Sequence, residues 1–143
     1  MHSLLYVSDI AEGLDASAVS DILSESRTNN NRDDITGLLI FDGQRFAQFV
    51  EGPPPPMQGL LKRLEGDVRH KNMELLWSAR AAQRRFPTWR LGYLKFDLDL
   101  FGLEGLRGKR GDAVLEAFTF ILPTLDIETG SAIPSLWGDL GVR

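Results

Sequence analysis

The alternation of apolar and polar residues begins with a short buried strand and an amphipathic helix. Leu4 to Val7 form an apolar run that polar residues close, which predicts a first strand. Asp15 is a suitable N-cap for the helix that follows, and Asn29 to Asn31 predict its end, because asparagines favour caps and turns over helix interiors. The residues at helical spacing between these points are Val19, Ile22, Leu23 and Ser26.

A hairpin is the strongest local signal in the chain. Two apolar segments, 35–41 and 46–50, flank Asp42 and Gly43. This dipeptide tolerates positive φ and predicts a type I′ turn between two antiparallel strands.

A second helix and two further strands complete the pattern. The proline run of residues 53–56 ends the preceding strand and suits a helix start. The apolar stripe of this helix consists of Met57, Leu60, Leu61 and Leu64. Alternating apolar positions then predict a fourth strand at Met73, Leu75 and Trp77 and a fifth at Trp89, Leu91 and Tyr93. The order β-α-β-β-α-β-β predicts an α+β, ferredoxin-like sandwich with its helices on one face.

The last third of the chain predicts a helical extension rather than a second domain. Glycines interrupt the pattern after Phe101, and one amphipathic helix follows over about Asp112 to Leu122, before Pro123. Its stripe contains Val114, Leu115 and Phe118. The tail from Asp126 onward is expected to form a short helical or irregular cover.

Composition narrows the classes of function. The chain has 143 residues, which fits one domain, and no cysteine, so disulfides, zinc–cysteine sites and cysteine nucleophiles are excluded. A net charge of −4 disfavours nucleic acid, and the basic cluster at Arg80, Arg84, Arg85 and Arg90 is interpreted as a solvated strand end. The N-terminus lacks signal-peptide features and no long apolar run spans a membrane, so a cytoplasmic protein is expected.

Amide side chains next to apolar ones are the candidate binding residues. Gln48 shares a strand face with Phe46 and Val50, so a buried amide there needs a partner from the protein or from a ligand. A buried Tyr6 hydroxyl would need one too. The apolar face of the first helix continues into Asn29 and Asn30, which favours a flat apolar ligand with polar edges. The alternatives are a Gln bonded to a neighbouring side chain and an Asn helix cap.

Catalytic constellations are not recognisable. With two histidines in the chain, no triad, histidine-rich metal site or phosphate loop has the required spacing, so the chain is not expected to be an enzyme or to bind a metal. Arg63 and Asp67, four residues apart, fit a surface ion pair. Arg69 and His70 fit a cap at the C-terminal end of the second helix.

Several motifs together resemble one family. These are Tyr6, the stretch SRTNNNRDDITGLLIFDGQRFAQFVEG from Ser26 to Gly52, DVRH from Asp67 to His70, and RRFPTW from Arg84 to Trp89. Over residues 1–95 the chain resembles the BLUF family of flavin-binding blue-light receptors, which leaves residues 96–143 as a C-terminal extension on the sheet or at a dimer interface.

The resemblance implies a noncovalently bound flavin between the two helices. The flavin is usually FAD, with FMN or a mixture as alternatives. Tyr6 matches the photoactive tyrosine and Gln48 the glutamine that links it to the flavin. The further matching contacts to the flavin are Ile22, Ser26, Asn29, Asn30, Phe46, Arg63, Asp67 and His70.

The resemblance also implies a mechanism and an output. Light makes the flavin an oxidant, Tyr6 supplies an electron and then a proton, and Gln48 rearranges its hydrogen bonds to give a red-shifted state. Trp89 matches the tryptophan of the fifth strand, whereas Leu91 stands where the family often has methionine, so an output through a Trp/Met exchange is in question. About 48 residues follow the matched part, so the expected target is a separate protein partner, and a homodimer or higher homo-oligomer is expected.

Two other classes of function stay open on the sequence. One is a small-molecule regulatory module that uses the same pocket without photochemistry. The other is a flavin enzyme, although no acid, base or second pocket supports it.

Overall fold

A five-stranded sheet lies between two pairs of helices. The computed structural model of the protein describes residues 1–95 and 103–121. Its elements are β1 His2–Ile10, α1 Ala16–Asp33, β2 Thr36–Phe41, β3 Arg45–Gly52, α2 Pro54–Glu65, β4 His70–Arg80, β5 Gly92–Lys95, α3 Leu103–Leu106 and α4 Asp112–Ile121. The predicted order β-α-β-β-α-β-β and the ferredoxin-like class are confirmed.

The sheet has the strand order β4-β1-β3-β2-β5. Its first three pairings are antiparallel, and β5 adds parallel to β2. Because β1 and β3 are both inner strands, residues that face each other across them lie away from the two sheet edges. In this pairing Tyr6 is directly opposite Gln48.

Each face of the sheet has its own apolar core. On one face, Phe46 and Phe41 pack with the α1 residues Val19, Ile22 and Leu23. Farther along the same face, a second cluster contains Leu4, Val50, Met57 and Leu60, so that α2 packs beside α1. The predicted stripe of α2 is therefore confirmed as a buried face.

The opposite face is covered by α3 and α4. Val114, Leu115 and Phe118 of α4 pack with sheet residues such as Leu5 and Phe49, which confirms the predicted amphipathic stripe. The short helix α3 was not predicted, because the glycines around it suggested an irregular segment. Leu122, Pro123 and the tail from Asp126 lie outside the described residues.

The end of α1 differs from the prediction. Asp15 is the N-cap, as expected, and its carboxylate accepts the N–H of Ser17. The three asparagines, however, do not end the helix, which runs on to Asp33 and is capped by Asp34 at φ 57°. Tertiary contacts explain the difference, since the buried Asn30 side chain donates to the carbonyl of Arg90.

The β2–β3 hairpin is confirmed, but its turn lies one residue later than predicted. Asp42 and Arg45 close the turn through a backbone hydrogen bond of 3.1 Å, so Gly43 and Gln44 are the central residues. Within this turn positive φ occurs at Gly43, whereas a type I′ turn requires it at both central positions. The Asp42 carboxylate instead accepts the N–H groups of Gln44 and Arg45.

The outer strands also differ from simple alternation. The register of β4 against β1 shifts between Leu5 and Tyr6, which leaves Leu76 buried and Leu75 42% exposed. Irregularities of this kind turn side chains to the other face. β5 begins at Gly92, so Trp89 and Leu91 precede the strand in which they were predicted to lie.

Candidate functional site

Tyr6 and Gln48 lie where the α1 cluster meets the α2 cluster. On β3, Gln48 stands between Phe46, which packs under α1, and Val50, which packs under α2. Side chains at alternate strand positions share one face, so Gln48 faces the boundary between the helices. The Tyr6 hydroxyl donates a hydrogen bond to the Gln48 side-chain oxygen, and both residues are buried. The alternative of a Gln bonded to a neighbouring side chain therefore describes this arrangement.

The Tyr6 hydroxyl is held in its neutral form. Burial raises the pKa of Tyr6, and the negative charge of Asp67 raises it further. A phenol in this environment keeps its proton at physiological pH, so the hydroxyl serves as a hydrogen-bond donor. The side-chain oxygen of Gln48 accepts the hydrogen bond from this hydroxyl.

Asn30 and His70 each have a buried polar atom without a hydrogen-bond partner in the part of the chain that the structure describes. Within residues 1–95 and 103–121, the Asn30 Oδ1 and His70 Nε2 atoms have no hydrogen-bond partner. An unsatisfied buried polar group costs about 1 to 3 kcal/mol. Because Ile22 and Phe46 provide apolar walls on the same face, these atoms fit a flat ring with polar edges.

His70 is the first residue of β4 rather than a cap of α2. Helix α2 ends at Glu65, with Gly66 as its C-cap, so the predicted capping role of Arg69 and His70 is wrong. The ring of His70 packs against Phe46, with 4.8 Å between ring centroids, and its Nδ1 lies 2.9 Å from Ser8 Oγ. Burial lowers the pKa of His70, although Asp67 opposes the shift, so the imidazole is neutral at neutral pH.

The predicted ion pair between Arg63 and Asp67 is wrong. Arg63 is exposed and lies 3.5 Å from Asp33 at the end of α1. Asp67 binds Arg69 instead, whose Nη2 also donates to Glu25 on α1 at 2.8 Å. The hydrogen bonds from Arg69 outweigh burial and lower the pKa of Asp67. The Arg63–Asp33 pair connects α1 to α2, and the Arg69–Glu25 pair connects α1 to the loop that follows α2.

The predicted flavin contacts on α1 differ in how far they are buried. Ile22 and Asn30 are buried, whereas Ser26 and Asn29 are half-buried. Asn30 is not the C-cap of its helix, because α1 continues beyond it. All of the predicted flavin contacts except Arg63 are at least half-buried in this region or beside it.

Trp89 and Leu91 lie on opposite faces of the sheet. Trp89 belongs to the core beneath α3 and α4, whereas Leu91 packs with α1 and Phe46. The structure therefore does not bring Trp89 together with Tyr6 and Gln48, contrary to the alternation that put Trp89 and Leu91 on one face. Leu91 is the member of the predicted output pair that shares the face of Gln48.

Sequence reasoning missed the contacts that three residues make in this region. Ser8, two positions after Tyr6 on the same strand face, holds His70, and that spacing was a usable signal. Arg69 connects Asp67 to Glu25. Arg27 donates to the carbonyl of Leu91 at 2.9 Å. The contact of Arg69 with Glu25 spans 44 positions and that of Arg27 with Leu91 spans 64, so neither left a local signal.

Metal and membrane sites are absent from the described part of the chain. No group of three or more histidine, aspartate or glutamate side chains in residues 1–95 and 103–121 could hold a metal ion. Among the helices of those residues, none is long and apolar enough to cross a membrane.

Comparison with known proteins gives matches over the same region. A family model described as "BLUF: Sensors of blue-light using FAD" matches residues 1–92. The chain is 32% identical over 98 residues to the "Blue light- and temperature-regulated antirepressor BluF" of Escherichia coli strain K12, covering 68% of this chain and 24% of that protein. It is 28% identical over 90 residues to the "Photoactivated adenylate cyclase subunit beta" of Euglena gracilis, covering 62% of this chain and 10% of that protein. The chain thus spans a quarter or less of the length of these relatives.

Solved structures share the fold. The dark state of "BlrB - a BLUF protein" matches with a TM-score of 0.63 and 30% identity, over 66% of this chain and 71% of that chain. The structure described as "BlsA ground state" matches with a TM-score of 0.75 and 23% identity, over 92% of this chain and 93% of that chain. The second likeness concerns the fold alone.

Proposed function

We propose, since the chain belongs to the BLUF family of sensors of blue light using FAD, that it is a photoreceptor whose light response begins at Tyr6 and Gln48. The observation that carries the proposal is the buried hydrogen bond from the Tyr6 hydroxyl to the Gln48 amide oxygen between α1 and α2. An electron donor and a reorientable amide in direct contact are the two groups that such a light response needs.

The residues around this pair fit a flavin. Asn30 Oδ1 and His70 Nε2 are buried polar atoms for the polar edge of the ring, and Ile22 and Phe46 offer apolar contact. We assign the exposed Arg63 and the half-buried Asp67 to the flavin side chain. We assign Ser26 and Asn29, on the same helix as Asn30, to the border of this region.

A bound flavin excited by blue light supplies a one-electron oxidant. Tyr6 gives the electron, and because the oxidised phenol is far more acidic than the neutral one, it then loses its proton towards Gln48 Oε1. The Gln48 amide rearranges its hydrogen bonds during this transfer. When the electron and proton return to Tyr6, the altered amide arrangement persists as the signalling state, without net chemistry.

We propose FAD as the flavin. The family description names FAD, whereas one structural relative is described with FMN. Flavin released from the purified protein by heat and separated by chromatography would identify it. FAD as the main species supports the assignment, and FMN or a mixture would replace it.

The output is proposed to act on a separate protein partner. The relative from Escherichia coli is named a blue light- and temperature-regulated antirepressor, which supports an output of this kind. Affinity capture from a cell lysate in darkness and under blue light, with light scattering for the oligomeric state, tests this proposal. A protein retained in one light condition supports it, and identical captured proteins in both conditions contradict it.

The absorption spectrum of the purified protein tests the proposed function. We expect a flavin spectrum in darkness that shifts slightly to the red under blue light and returns in darkness. A flavin spectrum that bleaches with a reductant and shows no red shift would favour a flavin enzyme. A colourless protein that takes up no added flavin would favour a regulatory module for another small molecule.

A further inference from the structure

The strand that carries Gln48 carries a buried carboxylate on its other face. Glu51 is 1% exposed and lies three positions after Gln48, so the two side chains point to opposite sides of β3. Gln48 faces α1 and α2, and Glu51 faces the side covered by α3 and α4. A buried carboxylate requires strong hydrogen bonds to offset the loss of water.

Glu51 finds these hydrogen bonds in the loop between β4 and β5. Its carboxylate oxygens lie 2.8 and 2.7 Å from the backbone N of Arg85 and 2.9 Å from that of Phe86. Burial raises the pKa of Glu51, whereas these backbone N–H groups and the charges of Arg84 and Arg85 oppose the rise. Hydrogen bonds to an ionised carboxylate are about twice as strong as those between neutral groups. Residues 85 and 86 are thereby fastened to the end of β3.

Arg84 forms further hydrogen bonds at the same end of the loop. Its guanidinium donates to the carbonyl of Glu51 at 3.2 Å, to Thr36 Oγ1 at 2.9 Å and to the carbonyl of Asp34 at 2.8 Å. The side chain is 13% exposed, so this arginine is a half-buried connection and not part of a solvated strand end as predicted.

The other end of this loop is attached to α1. Asn30 donates to the carbonyl of Arg90, and Arg27 donates to the carbonyl of Leu91. Between the two attachments, Phe86 stacks on Trp89 with 5.6 Å between ring centroids. Residues 84–91, which we call the strap, therefore connect the helix that holds Asn30 to the core beneath α4.

We propose that Glu51 is a positioning residue for the light signal, which fixes one end of the strap so that a change at Asn30 and Leu91 displaces Trp89. The inference rests on the proposed photoreceptor function and adds its route of output. When residues 85 and 86 are held in place, a movement of residues 90 and 91 has to change the conformation of the residues between these two ends. Trp89 is one of those residues. When residues 85 and 86 are released, they can move instead, and Trp89 keeps its position.

The variant Glu51→Gln tests the proposal because it keeps the size of the side chain and removes its charge and one acceptor oxygen. We expect flavin content and the red shift to stay as in the unmodified protein, since Glu51 is on the face opposite Gln48. Backbone amide exchange at Arg85 and Phe86 should become at least about tenfold faster, as expected when strong hydrogen bonds are lost. The light-induced shift of the Trp89 indole N–H resonance in NMR spectra should disappear.

Two further variants support the experiment. Glu12→Gln removes a carboxylate that is 94% exposed and should change none of these quantities. Arg84→Lys keeps the charge but removes the forked hydrogen bonding, so it should weaken the Trp89 response even if Glu51→Gln does not fold. The resonance is identified by its loss in Trp89→Phe, with Trp77 and Trp137 as internal references.

The outcomes separate this inference from the proposed function. A red shift with an unchanged Trp89 response in both Glu51→Gln and Arg84→Lys would overturn the role of Glu51 and leave the photoreceptor standing. An unmodified protein that shows no light-induced shift at Trp89 would also overturn it. An unmodified protein that binds no flavin would remove the proposed function, and the inference with it.

Discussion

Tyr6 and Gln48 face each other across the two central strands of the sheet, with the phenol hydrogen-bonded to the amide oxygen beneath the junction of α1 and α2. The two residues are 42 positions apart in the chain. Burial raises the pKa of the phenol, so the pair is neutral and its hydrogen bond is retained over the physiological pH range.

Replacing Tyr6 by Phe should retain the flavin and abolish the red shift. The ring keeps its packing, but it is a poor electron donor and has no proton to pass to Gln48. The free energy of unfolding should fall by about 1 kcal/mol, typical of one lost hydrogen bond. Light-minus-dark absorption spectra and urea unfolding measure both effects. Tyr93→Phe, at the second tyrosine of the chain, is the matched control, and a normal photocycle in Tyr6→Phe would refute the assignment.

Gln48→Leu should likewise keep the yellow colour and lose the red shift, because leucine has no amide to rearrange. The Tyr6 hydroxyl is then buried without its partner, at a cost of about 1 to 3 kcal/mol. The same difference spectra test the expectation. Gln44→Leu, in the exposed turn, should photocycle as before. Persistence of the shift in Gln48→Leu would assign the amide's role to another residue.

Asn30→Ala should weaken flavin binding at least about tenfold, the effect of about 1.4 kcal/mol. The substitution removes a buried polar atom that has no partner in the described residues and also the hydrogen bond to the Arg90 carbonyl. Fluorescence titration of the flavin-free protein gives the dissociation constant. The neighbouring exposed Asn31→Ala serves as control. Equal affinities for both variants would contradict an Asn30 contact with the flavin.

Arg69→Gln should accelerate flavin release. Arg69 joins Glu25 on α1 to Asp67 after α2, and its removal should let the two helices separate more readily. Stopped-flow measurement of release into excess apoprotein should show a several-fold faster rate, and raised salt should narrow the difference because it screens these ion pairs. Arg32→Gln, at an arginine bonded to its neighbour within α1, should release flavin at the original rate. Unchanged release from Arg69→Gln would show that the connection does not limit exchange.

His70 should make the flavin-free protein less stable as the pH falls. Burial lowers the pKa of His70, Arg69 adds to the effect and Asp67 opposes it, so the folded protein favours neutral imidazole. Below the ordinary histidine pKa of about 6.5 the unfolded chain gains a proton that the folded chain resists. The stability contribution is thus complete above about pH 6.5 and is lost as the pH falls towards the lowered pKa.

Urea unfolding between about pH 7 and about pH 5 measures this loss, which for one proton is at most about 1.4 kcal/mol per pH unit. His70→Gln should have a smaller slope than the unmodified protein. His2→Gln, at the second histidine, which bonds to Ser78 at the surface, should keep the original slope. Identical slopes in all three proteins would mean that His70 is not held neutral by the fold.

Local signals account for the elements that were predicted correctly. Three features depend only on residues close together in the chain, so those residues are enough to predict them. They are the Asp15 cap, the apolar stripe of α2 and the glycine turn between β2 and β3. The motifs around Tyr6, Asn30 and Gln48 are likewise continuous stretches of sequence, and they indicated the family. The element order followed from these signals.

The errors arose where distant contacts overrode local preference. The asparagine run continues α1 because Asn30 gains a buried hydrogen bond to the carbonyl of Arg90, 60 positions away. Leu76 is buried in place of Leu75 because β4 changes register against β1. Trp89 lies on the face opposite Leu91 because the strap does not follow the alternation of a strand.

The sequence by itself determined the order of the elements, the apolar faces of the helices and the membership of the family, because caps, turns, periodicity and motifs are properties of neighbouring residues. Tertiary structure alone decided that Tyr6 pairs with Gln48, that Arg69 joins α1 to the loop after α2, and that Glu51 holds the strap. Each of these contacts joins residues more than 30 positions apart. Such contacts depend on strand order and register, which the free energy of the whole fold selects.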